Sequence, residues 1–92
     1  MDIPDQAYLQ QAESVTFREV GGEAVLLNLK TGIYYGLNEV GTFVWQHMDG
    51  EHTIDDLVGA ICTTYAVDQK QAVTDVRRLA GELLEAGLAR AS

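Results

Sequence analysis

The chain is poor in several features that would each point to a function. It has one cysteine, Cys62, so no disulfide can form within it. No apolar run approaches the roughly 18 residues of a membrane-spanning helix. The start, MDIPDQAYLQQAE, lacks the basic opening and apolar core of a signal peptide. Together these read as a cytoplasmic protein with no membrane partner. Cations are scarce: six Lys and Arg stand against fourteen Asp and Glu, a formal charge of −8. Nucleic-acid binding rests on neutralising phosphates with Lys and Arg, so no nucleic-acid partner is expected. Catalytic signatures are also missing. His47 and His52 flank Asp49-Gly50-Glu51 without any standard metal-ligand spacing, and Cys62 sits among Val58 and Ile61 in an apolar helix. There is no Gly-rich phosphate loop after a strand and no P-loop lysine. The expectation is no catalytic residue, no metal and no cofactor, and therefore a protein that binds rather than an enzyme.

What is present is an ordinary apolar content of 47% in 92 residues, enough for one modest core. Residues 1–13 read as a flexible N-terminal tail and 14–92 as one domain. Val15–Val20 alternates like a strand, and Gly21-Gly22 supplies a hairpin turn. Glu23–Leu29 is rich in aliphatics, Lys30-Thr31-Gly32 makes a second turn, and Ile33–Leu37 is a third short strand. The pattern then becomes helical. Asn38 caps a first helix that ends at Asp49-Gly50, and Thr53 caps a second. Asp68 caps a third, with Gln71 completing a capping box. In that last helix, about Gln69–Ala86, a stripe of Ala72, Val76, Leu79, Leu83 and Ala86 faces the core. Val73, Ala80 and Leu84 widen it on one side. Arg77 borders that side and Asp75 the other. An apolar arc of roughly 160° exceeds the 100° or so that a surface helix needs. Gly87 is placed to end this helix, and Leu88 to return to the core. The expected fold is α+β: a three-stranded antiparallel sheet followed by three helices, with a winged helix-turn-helix-like layout. If Ile33–Leu37 is a sheet edge, it offers an open template to another chain's strand. A fixed protein partner, a second copy of the chain, or a winged-helix DNA contact are the other uses such a layout allows.

The segments VLLNLKTGIYYGLNEVGTFVW (25–45), DGEHTIDDLVGAI (49–61), Tyr65-Ala66-Val67-Asp68 and DVRRLAGELLEAGL (75–88) come in an order and spacing that resembles the PqqD-like family, also called RiPP recognition elements. The resemblance covers about Val15 to Leu88. It implies non-catalytic binding of the leader segment of a ribosomally made precursor peptide, which adds as a strand to the third strand and lies between it and the third helix. Carried onto this chain, the site residues are Ile33, Tyr34, Tyr35, Gly36, Leu37, Val73, Asp75, Val76, Arg77, Ala80 and Leu84. Arg77 is expected at the rim to meet an acidic or polar leader residue. The tract LLNLKTGIYYGLN is most similar to the stand-alone leader-binding proteins of lasso-peptide pathways. That implies a precursor peptide and a leader-cleaving cysteine protease as partners. The alternative is a PqqD-type peptide chaperone whose partner is a radical-SAM enzyme.

Overall fold

The computed structural model describes residues 3, 4 and 6–92. Six strands and three helices follow in the order β1 (Tyr8–Gln11), β2 (Val15–Val20), β3 (Glu23–Asn28), β4 (Tyr34–Leu37), α1 (Glu39–Gln46), β5 (Asp49–Thr53), α2 (Ile54–Tyr65), α3 (Gln69–Glu85) and β6 (Ala89–Ala91). The meander expected from Val15 to Leu37 forms as an antiparallel sheet ordered β2-β3-β4. Gly21 and Gly22, at φ of 62° and 84°, make the two-residue β2–β3 turn. Two successive positive φ values are what a hairpin turn matched to strand twist requires.

The expectation of one sheet ahead of all the helices is corrected. A second three-stranded antiparallel sheet, ordered β5-β1-β6, is assembled from three distant parts of the chain. The winged-helix comparison thereby loses its premise of a single leading sheet. The expected loose tail is also different over its described part: Leu9 in β1 is fully buried and Ile3 is buried as well. Met1, Asp2 and Asp5, which also belong to that tail, lie outside the described residues. Asp49-Gly50 does not close a helix. α1 stops at Gln46, and Asp49 and Gly50 open β5, which pairs with β1. Gly50, at φ 83°, sits beside the register shift between Leu9 and Gln10, a backbone that only glycine adopts freely. These strands escape pattern reading because DGEHT and YLQQ are polar and take their strand form from backbone pairing with each other.

The helix ends show how far local chemistry reaches. Asn38 Oδ1 accepts from the Gly41 N–H at 2.8 Å, and Thr53 and Asp56 form a reciprocal capping box. At α3, Asp68 holds the cap position but makes no side-chain cap bond; Gln71 donates instead to Asp75. The expected Asp68–Gln71 box is therefore absent. At the other end of α3, Leu88 N–H bonds Leu83 C=O at 2.8 Å and Gly87 N–H bonds Leu84 C=O at 3.2 Å. With Gly87 at φ 71°, this is the paired-bond helix stop that returns a hydrophobic residue inward, and Leu88 is fully buried. The core gathers Trp45, Leu26, Met48, Leu57, Ile61, Leu83 and Leu88 between the two sheets and the helices, with Phe17 edge-on to Trp45 at 5.7 Å. Among the described residues no helix is long and apolar enough to cross a membrane.

Candidate functional site

β4 is an edge strand: β3 pairs one side of it, and among the described residues no strand pairs the other. The β3–β4 register couples Leu26 to Tyr35 and Ala24 to Leu37, and the Asn28 N–H bonds the Ile33 carbonyl at 3.0 Å. Hydrogen-bonding pairs alternate along an antiparallel ladder. The backbone groups of Tyr35 and Leu37 therefore point to β3, whereas those of Tyr34 and Gly36 point outward along the open edge. Side chains alternate as well. Tyr35 and Leu37 lie on the sheet's inner face, and Tyr34, 69% exposed, lies on the outer one.

A groove of about 380 Å³ runs along the inner side of this edge, between β4, the start of α1 and one flank of α3. Its apolar lining comes from Leu37, Val40, Val44, Ile61, Val67, Val76 and Leu79. Tyr35, Asn38, Asp75, Arg78 and Glu82 add polar groups. The sequence-expected residues divide. Tyr35, Gly36, Leu37, Asp75 and Val76 come together in the groove. Ile33, which precedes β4, and Tyr34 stand exposed outside it. Val73, Arg77, Ala80 and Leu84 do not line it either.

The reason is rotational. At about 100° per residue, Val73, Ala80, Arg77 and Leu84 lie on one side of Val76, and Leu79, Asp75 and Glu82 lie on the other. Both sides border the apolar arc, and tertiary packing turned the Asp75 side toward β4. Ala80 is fully buried in the core instead, and Arg77 Nη1 donates to the Ile3 carbonyl at 2.7 Å. Arg78 takes the place expected for Arg77 and lies 3.7 Å from Asp75. On α3, sequence reading missed the groove residues Arg78, Leu79 and Glu82, and it assigned none of the groove's lining from α1, α2 or Val67. The spacing of Asp75, Arg78 and Glu82 was visible in the sequence, but it reads equally well as a solvated helix face.

One hydrogen bond crosses between the walls: the Tyr35 hydroxyl donates to the Glu82 carboxylate. Burial of the phenol, with the Glu82 bond and charge beside it, pushes the Tyr35 pKa up to about 12. Tyr35 is therefore a neutral donor at any physiological pH. No part of this arrangement resembles a nucleophile with a base. Elsewhere, His52 Nδ1 pairs with Asp49 at 2.8 Å and His47 Nδ1 bonds the Phe43 carbonyl, so one ring nitrogen of each is engaged locally.

The sequence matches the model of the PqqD family, coenzyme PQQ synthesis protein D, over residues 23–89. A comparison with curated protein sequences finds no match. Among solved structures, TbiB1 in complex with the TbiA(beta) leader peptide is similar at 31% identity and a TM-score of 0.80, covering 88% of this chain and 94% of that one. A lasso peptide synthetase B1 complexed with the leader peptide shares the fold at 23% identity and a TM-score of 0.79, covering 90% and 98%. With the family model running from β3 to the start of β6 and TbiB1 matching along nearly its whole length, this chain belongs to the PqqD family.

Proposed function

We propose that this protein binds the leader segment of a ribosomally synthesised precursor peptide as an added strand on β4 and presents it to a separate processing enzyme. The observation that carries this reading is the open β4 edge lying directly over an apolar-floored groove. An incoming strand takes its direction and register from the outward Tyr34 and Gly36 backbone groups. Each such bond contributes on the order of 0.5–1.5 kcal/mol, which does not offset the ordering of a flexible peptide. Side chains on the strand's inner face must therefore enter the groove and bury against Leu37, Val40, Val76 and Leu79. The groove's polar side chains carry two carboxylates, Asp75 and Glu82, against one guanidinium, Arg78. Basic or hydrogen-bond-donating leader side chains suit that rim better than acidic ones.

The processing enzyme we favour is a lasso-peptide leader protease: TbiB1, at 31% identity, was solved with a leader peptide, and so was a lasso peptide synthetase B1 of the same fold. The family model bears the name of a quinone-synthesis protein, which supports the alternative of a radical-SAM partner. In either case the protein raises the substrate's effective concentration near an enzyme and performs no chemistry itself.

The test is a fluorescence-polarisation titration with two labelled peptides: the TbiA(beta) leader, and the leader of the precursor encoded nearest this chain's gene. Saturable binding that Leu79→Glu abolishes is expected. No binding of either leader would overturn the reading. Loss of the precursor's cleavage when this protein is omitted from a reaction with the neighbouring protease would select the lasso assignment.

A further inference from the structure

Asn28 is a buried polar residue at the end of β3, and it is bonded on every side. Its backbone N–H donates to the Ile33 carbonyl at 3.0 Å, and its carbonyl accepts from Gly32 at 2.8 Å. Its side-chain Oδ1 accepts from the N–H groups of Lys30 at 2.9 Å and Thr31 at 3.4 Å. These contacts build the turn that launches β4. The remaining group, Nδ2, leaves the turn altogether and donates to the carbonyl of Ala86 at 3.0 Å. Ala86 is the C-cap of α3. One side chain therefore joins the turn that precedes the edge strand to the last turn of the opposite wall. Gly87 completes the junction: a Cβ there would come within 3.2 Å of Asn28 Nδ2, on a backbone already at φ 71°.

We propose that Asn28 is a positioning residue for leader binding, holding β4 and α3 at the separation that admits an added strand. This rests on the leader-binding reading above. Along β4 and α3, the next tie after the Asn28–Ala86 junction is the Tyr35–Glu82 bond. An added strand must sit about 4.8 Å from β4 while its inner side chains touch α3. Hydrogen bonds weaken steeply outside a window of a few tenths of an ångström, so drift of the α3 end spoils one contact set or the other. The Ala86 carbonyl is also one of the last carbonyls of a helix, which lack intrahelical partners. The tie therefore satisfies two groups while setting a distance.

Asn28→Asp separates this role from turn formation. The aspartate keeps an oxygen for Lys30 and Thr31, and it replaces the donor to Ala86 with a carboxylate oxygen that the Ala86 carbonyl repels, so the tie is broken. Its expected effect is at least a tenfold weaker affinity for the tighter of the two labelled leaders, with the helical circular dichroism unchanged. Linkage supplies a measurement on the wild-type protein: if the tie favours the leader, the leader favours the tie by the same factor. Saturating leader should slow hydrogen exchange of the Asn28 side-chain amide, by a factor no larger than the one lost in the variant. A folded Asn28→Asp protein that binds as tightly as wild type overturns the proposal. So does a side-chain amide whose exchange ignores the leader, which decides the matter even if the variant does not fold. Wild-type protein that binds neither leader overturns the leader reading and the role of the tie together, an outcome distinct from the other two.

Discussion

Tyr35 and Ala66 carry energetic consequences that follow from single atoms. The Tyr35 phenol is neutral in the folded state up to about 12, whereas an unfolded tyrosine ionises near 10. A group whose folded pKa is raised stabilises the fold fully below the unfolded value, and that contribution is lost as pH climbs to the folded one. Chemical denaturation between pH 9 and about 12 should therefore show stability falling across about pH 10 to 12. Tyr35→Phe should flatten that part of the profile. At neutral pH the same variant should cost about 1 kcal/mol or less, the net worth of one partly solvated hydrogen bond. Ala66 closes α2 in the left-handed region at φ 52°, where a Cβ is strained. Ala66→Gly should raise the denaturation midpoint by the equivalent of about 1 kcal/mol. The Ala66 strain is not readable from Tyr65-Ala66-Val67, because alanine favours helix and the reversal is imposed by where α3 must begin.

At the scale of elements, β4 and α3 were legible to different depths. The existence, length and ends of α3 follow from its period and from Gly87, and the structure keeps all three. Which flank of its wide apolar arc meets β4 does not follow, because Val73, Ala80 and Leu84 are as apolar as Leu79 and Ala86. The strand was legible as a strand, and its edge position becomes a fact only when β2 and β3 take the other places in the sheet. Gly36→Pro tests the edge directly. The Gly36 N–H points away from β3, so proline removes a bond offered to the peptide and none used by the sheet. No atom lies within 4 Å of a Cβ built there. The expected outcome is a leader affinity weakened about tenfold or more in polarisation titrations, with thermal unfolding shifted only slightly. Equal affinity for this variant and wild type would remove the strand-addition geometry.

Over the whole molecule, the N-terminal segment closes the structure. β1 lies between β5 and β6, so it joins the residues after α1 to those after α3. Leu9→Ala should destabilise the protein by about 2–5 kcal/mol, read from urea midpoints, since a fully buried leucine is replaced at the centre of that sheet. A loose tail would give almost no change. Removal of β1 should also strip both β5 and β6 of their partner and broaden unfolding. Local chemistry was enough for the β2–β3–β4 meander, the caps at Asn38 and Thr53 and the Gly87 stop, because turns, caps and periodicity act over a few residues. The second sheet, the flank of α3 that lines the groove, the Tyr35 tie across it and the Asn28 tie beyond its end were decided in three dimensions. They join residues separated by tens of positions, and polar strands or equivalent helix flanks acquire a preference only once the rest of the core has chosen their neighbours.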